Sequence, residues 1–129
     1  MIKKRIFISF DYDHDEDIKI MLAGQAKLTD SPFDFKDASV KEPLTGDWKE
    51  KVKGRIQNCD LVIVLCGTVT NTANGVSTEL KIAQEVGKPY FLLTGRAGKV
   101  CVKPTSALFT DKLYDWTWSN LKLLIDGRR

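Results

Sequence analysis

The six consecutive apolar residues Leu61-Val62-Ile63-Val64-Leu65-Cys66 constrain the fold more than any other feature of this chain. The run is far shorter than the roughly 18–20 residues that cross a bilayer. It is too uniformly apolar for a strand with one wet face, so it reads as a parallel strand covered by helices on both sides. The flanking sequence supplies the layers. Ile6-Phe7-Ile8-Ser9-Phe10 is rich in β-branched and aromatic residues and reads as a first strand. Phe33-Asp34-Phe35 reads as a weaker second strand, Pro89 to Leu93 as a fourth, and Leu113 to Trp116 as an edge strand. Helical spacing of apolar residues falls between them: Ile18, Met21 and Leu22; Trp48, Val52 and Ile56; Leu80, Ile82, Ala83 and Val86; then Ser119 to Ile125. Asp47 is expected to cap the second helix, Ser77-Thr78-Glu79 to open the third, and Gly87 to stop it. The expected fold is α/β: a doubly wound, mostly parallel sheet of four or five strands with helices on both faces.

Composition narrows the function classes. With 129 residues, 43% hydrophobic and 29% charged, the chain suits one ordinary domain with a real core. No apolar stretch is long enough for a membrane span, and the N-terminus lacks the pattern of a signal peptide. Cys59, Cys66 and Cys101 are an odd, unclustered set, which argues against zinc and against a disulfide framework. The expected setting is cytoplasmic. Residues 1–87 carry a net charge of −2 and residues 88–129 a net charge of +5. The lysines of the basic part are scattered and match no nucleic-acid motif, so a solvated surface is the preferred reading.

In doubly wound sheets, ligands sit beyond the carboxyl ends of the strands, at the switch in strand order. Attention therefore falls on Ser9, Phe10 and Asp11 after the first strand, and on Asp37 and Ser39 after the second. Thr68 follows the third strand, and Asn74 lies in the polar loop beyond it. Five carboxylates between Asp11 and Asp17 invite comparison with a metal-binding phosphoacceptor domain. That class needs an aspartate at the end of the central strand, where this chain has Cys66-Gly67, so no metal site is expected. Helix capping and solvated charge explain Asp13, Asp15, Glu16 and Asp17 more simply. Neither GxxxxGK[ST] nor GxGxxG is present in the required context. Cys66 has no histidine expected beside it to act as a base. Glu79 remains, expected in the first turn of the third helix. Two readings of it stand side by side: stabilisation of an oxocarbenium-like centre in the crevice, or simple pairing with Ser77 and the helix dipole.

Three segments resemble a known family. Arg5 to Asp13, a strand ending Phe-Ile-Ser-Phe, is similar to the first box of Toll/interleukin-1 receptor (TIR) domains. Asn58 to Leu65 resembles their third-strand segment. Glu79 to Pro89 is similar to the third helix of the bacterial TIR-like branch, which includes the TIR-like subunits of Thoeris anti-phage systems. The resemblance implies a single TIR-like domain over residues 1–129, folded as a flavodoxin-like three-layer sandwich around that central sheet. It also implies cleavage of the nicotinamide N-glycosidic bond of NAD, taken as substrate and not as cofactor, giving an ADP-ribose-derived, linear or cyclic, signal. Glu79 matches the position of the catalytic glutamate. Phe10 and Asp11 would line the nicotinamide pocket, and residues 37–46 would form a mobile loop. Expected partners are a second TIR-like domain, through Trp48 or the basic end, and a separate effector reached by the signal. Alternatives are a noncatalytic TIR-like adaptor and a nucleoside N-glycosidase or transferase. Relatives often carry tryptophan four residues before the glutamate, where this chain has Gly75.

Overall fold

A computed structural model describes residues 3–39 and 46–127. Five strands, β1 (Lys4–Ser9), β2 (Phe33–Ala38), β3 (Leu61–Cys66), β4 (Tyr90–Thr94) and β5 (Leu113–Asp115), form one sheet in the order β2-β1-β3-β4-β5. Every pairing in it is parallel. Helices α1 (Glu16–Gln25), α2 (Gly46–Gln57), α3 (Asn74–Glu85) and α4 (Trp118–Ile125) cover its two faces. This is the flavodoxin-like α/β architecture expected from the sequence.

The period of two in a strand explains how one hexapeptide organises both layers. Leu61, Ile63 and Leu65 join a core with Ile18 and Leu22 of α1 and Leu121, Leu124 and Ile125 of α4. Val62, Val64 and Cys66 point the other way, into a core with Trp48, Val52 and Ile56 of α2 and Val76, Leu80 and Ala83 of α3. All six β3 side chains are buried. β1 divides in the same manner, with Ile6 and Ile8 in the first core and Phe7 in the second.

Several boundaries differ from the sequence reading, each for a physical reason. β2 does not stop at Phe35 but runs to Ala38, because its ladder with β1 slips by one residue. Ile6 pairs with Phe35 and Phe7 with Asp37, leaving Lys36 as a bulge. The extra residue changes the parity of everything after it. Ala38 joins Ile8 in the first core, and Ser39 turns toward the α3 side. Asp37 and Ala38 are therefore strand, not mobile loop; residues 40–45 of that expected loop lie outside the described residues. α2 begins at Gly46, so Asp47 sits in its first turn and does not cap it. α3 begins at Asn74, three residues before Ser77. Gly87 follows its last turn at φ 71°, a conformation that suits glycine.

In the acidic stretch, Glu16 and Asp17 occupy the first turn of α1 as expected, but Asp15 departs from the capping reading. Asp15 occupies the cap position of α1 but makes no side-chain capping bond. It is buried at 1% exposure, and its Oδ1 accepts from Arg96, which follows β4, at 3.1 Å. Gly67 packs over this carboxylate so closely that a Cβ there would lie 2.8 Å from Asp15 Cγ. No helix among the described residues is long and apolar enough to cross a membrane.

Candidate functional site

The chain leaves β1 outward to β2 and then returns past β1 to build β3, β4 and β5, so the topological switch lies between β1 and β3. A cavity of about 290 Å³ opens there, at the carboxyl ends of the strands. One wall is the turn after β1, Phe10 to His14. The opposite wall is the start of α3, Ala73 to Val76. Trp48, Ser39 and Glu79 close the remainder.

Glu79 is the centre of the arrangement. It lies in the second turn of α3, not the first, and no acidic residue occupies the first turn. Neither the helix dipole nor Ser77 holds it; Ser77 Oγ pairs with Thr105 Oγ1 at 2.9 Å instead. Glu79 is 1% exposed, and two serines hold it from across the crevice. Ser9 Oγ, at the end of β1, donates to Glu79 Oε1 at 2.6 Å. Ser39 Oγ, turned inward by the Lys36 bulge, donates to the same oxygen. The Phe10 N–H in turn donates to Ser39 Oγ at 3.1 Å, which fixes the direction of that hydroxyl. Both donors converge on Oε1, and Oε2 has no partner among the described residues.

Burial pushes the Glu79 carboxyl up to about 7, against the opposing pull of the Ser39 and Ser9 hydrogen bonds and of the Arg55 charge. A carboxylate that titrates near neutrality, with one oxygen anchored and the other unpartnered beside a cavity, suits stabilisation of a developing cation. Removing either serine takes away a donor that favours the ionised form. Ser39→Ala or Ser9→Ala is therefore expected to raise the Glu79 midpoint by roughly one unit. The carboxyl ¹³C shift of Glu79, followed against pH, reads this directly; an unchanged midpoint would remove the serines from this role.

The sequence-derived candidates divide accordingly. Phe10, Asp11, Ser39, Asn74 and Glu79 line the cavity. Ser9 lies beneath it as a support for Glu79. Asp37 and Thr68 do not line it. Asp37 faces Arg55 at 3.5 Å, and Thr68 is exposed in a turn, while its neighbour Thr70 accepts the Gly67 N–H at 2.6 Å. Asp11 is itself fixed: its Oδ2 pairs with His14 Nδ1 at 2.7 Å, and its Oδ1 accepts the Asp13 N–H at 3.1 Å. The rings of Phe10 and Tyr12 lie 5.9 Å apart, giving this wall an aromatic face.

Trp48 lies on the core face of α2, as its spacing with Val52 and Ile56 predicts, and is 3% exposed; it also lines the cavity, which that spacing does not reveal. The available signal was positional. α2 follows the carboxyl end of β2, so its first turn stands at the same edge of the sheet as the other site residues. Among the described residues no group of three His, Cys, Asp or Glu side chains is placed to share a metal ion.

Strand order and site together define a doubly wound α/β domain with a buried carboxylate at its switch point. The family model described as "Thoeris protein ThsB, TIR-like domain" matches residues 7–95, from β1 through β4. The chain belongs to that TIR-like family. No curated protein matches it.

Proposed function

We propose that this chain is a defence-related TIR-like enzyme that cleaves the nicotinamide N-glycosidic bond of NAD. The observation that carries the reading is Glu79: buried, titrating near 7, anchored through Oε1 and unpartnered at Oε2 beside the cavity. As the bond breaks, its electron pair goes to the pyridinium nitrogen and nicotinamide leaves neutral. The ribosyl carbon acquires oxocarbenium character, which the ionised Glu79 stabilises. Capture by water, with loss of a proton, gives ADP-ribose; capture by a nucleophile within the same molecule gives a cyclic product. Phe10 and Tyr12 supply an aromatic surface for the leaving ring, and the Asp11 carboxylate stands beside them. NAD is substrate here, not a resident cofactor.

The reading extends to a diffusible nucleotide signal for a separate effector, with self-association or pairing with another TIR-like domain. Purified protein incubated with NAD, with and without lysate of phage-infected cells, is expected to release nicotinamide detectable by mass spectrometry. Absence of release in both conditions would overturn the catalytic reading. A second reading, a noncatalytic adaptor, draws on a different region. Val100, Leu108 and Phe109 between β4 and β5 are exposed, Phe109 completely. Concentration-dependent pairing lost in Phe109→Ser but retained in Glu79→Gln would favour it.

A further inference from the structure

We infer that His14, oriented by the Asp11 carboxylate, is the base that takes the proton from the water attacking the ribosyl carbon. The inference rests on the glycosidic reading above and assigns the second half of that reaction. Glu79 faces the cation as it forms, and His14 assists its capture.

Three observations carry it. The first is the tautomer. His14 Nδ1 lies 2.7 Å from Asp11 Oδ2. A carboxylate has no proton to give, so Nδ1 is the donor, and the neutral ring is left with its lone pair on Nε2. Nε2 has no hydrogen-bond partner among the described residues.

The second is how firmly the pair is set. Asp11 is 6% exposed, and its other oxygen accepts the Asp13 N–H at 3.1 Å. The His14 carbonyl accepts from Arg96 Nη2 at 2.8 Å, which ties the residue to the end of β4. The turn does not need the imidazole in order to close. Its Asp15 and His14 N–H groups both donate to the Asp11 carbonyl, at 2.7 and 3.3 Å.

The third is position. His14 lines the same cavity as Glu79, and its side chain is 57% exposed, so water reaches the ring although Asp11 behind it is buried. Glu79 belongs to α3, and His14 to the wall that faces the start of that helix. A base held by a buried acid, across a cavity from a carboxylate, matches the division of labour in glycosidic hydrolysis with water as nucleophile. As the water oxygen bonds to the ribosyl carbon, its proton passes to His14 Nε2. Asp11 balances the imidazolium until that proton leaves to solvent. His14 is thus a catalytic residue and Asp11 a positioning residue.

His14 is the sole histidine of the chain, which makes the test clean. Long-range ¹H–¹⁵N spectra of the neutral ring are expected to show the proton on Nδ1 in the wild type. In Asp11→Ala it is expected to move to Nε2. Nicotinamide release from NAD is expected to fall about a hundredfold in both His14→Ala and His14→Asn. Asparagine retains a donor for Asp11, so its thermal midpoint should stay at the wild-type value while its rate does not. Azide attacks without a proton to lose. It is therefore expected to restore release in both His14 variants, with azido-ADP-ribose as product, and not in Glu79→Gln. A wild-type proton on Nε2, a His14→Asn protein as fast as the wild type, or a loss that azide does not repair overturns the base while leaving the role of Glu79 intact. Absence of release from the wild type itself, whatever the tautomer, sinks the glycosidic reading and the base with it.

Discussion

Glu79→Gln is expected to stop nicotinamide release and, at the same time, to make the protein more stable at pH 8. The loss of rate follows from removing the charge that faces the developing cation, and a fall of about a hundredfold to a thousandfold is the scale for such a contact. The gain in stability follows from linkage. The folded protein holds the Glu79 proton to about pH 7, well above the ordinary glutamate value of 4.5, because burial disfavours the charge. Between those two values the folded state binds more protons than the unfolded chain, so stability falls as pH rises through the interval. Above pH 7 the cost is fully expressed, at about 3 kcal/mol. Glutamine carries no charge, retains the carbonyl that accepts from Ser9 and Ser39, and nearly conserves volume. Thermal unfolding of the two proteins should therefore converge near pH 4.5 and separate at pH 8 by about 10 °C, glutamine higher. A difference in Tm that does not change with pH would mean that Glu79 is already ionised without cost. A variant that still releases nicotinamide at the wild-type rate would remove it from the chemistry.

The same residue shows what was legible in the sequence. Leu61 to Cys66 announced a strand buried on both faces, and from that strand the parallel sheet and the crevice at its switch point follow. Glu79 could be placed near the crevice because it stands shortly after that strand. Its partners could not be named, since Ser39 reaches Oε1 only through the bulge at Lys36. Nothing in Phe33 to Ala38 signals a bulge by type or spacing. The start of α3 was hidden for a local reason: Asn74-Gly75 is turn chemistry by composition, and here it forms the first helical turn. The strand-tip rule leads to the cavity after β1, where the chain turns back over it at Phe10. After β3 it leads elsewhere: Thr68 stays exposed in a turn and Thr70 is buried, its hydroxyl accepting the Gly67 N–H. Contacts made at long sequence separation leave no periodicity to read, and the pairing of Asp15 with Arg96 is the clearest instance.

That pair yields the second large effect. Arg96 reaches back from the end of β4 to the turn before α1. Its Nη2 donates to Asp15 Oδ1 at 3.1 Å, to the His14 carbonyl at 2.8 Å and to Asp17 Oδ1 at 2.8 Å. Asp15 is buried, its Oδ2 has no partner among the described residues, and burial already lifts its carboxyl above the usual value despite the guanidinium. Arg96→Ala removes the one cation among the described residues that pairs with that charge and should cost about 3–5 kcal/mol at neutral pH, the scale for a buried charge left alone. Without the guanidinium the carboxyl rises further, so protonation relieves more of the loss as pH falls, and the deficit should be smaller at pH 5 than at pH 8. Asp15→Asn alone should cost much less, because Arg96 retains the exposed Asp17 carboxylate and the His14 carbonyl. Adding Asp15→Asn to Arg96→Ala should return more than half of the loss. Urea midpoints for the four proteins of this cycle give the coupling directly. An Arg96→Ala protein within 0.5 kcal/mol of wild type, or one whose deficit is the same at both pH values, would show that water reaches Asp15 and that the pair is a surface contact. The consequence extends to the cavity. Arg96 anchors the His14 carbonyl at the end of the turn that begins with Phe10 and Asp11, so releasing it loosens the aromatic and acidic wall opposite α3. Ligand affinity should therefore fall in Arg96→Ala and recover only partly with Asp15→Asn, because the charge is then balanced but the turn is no longer tied to β4.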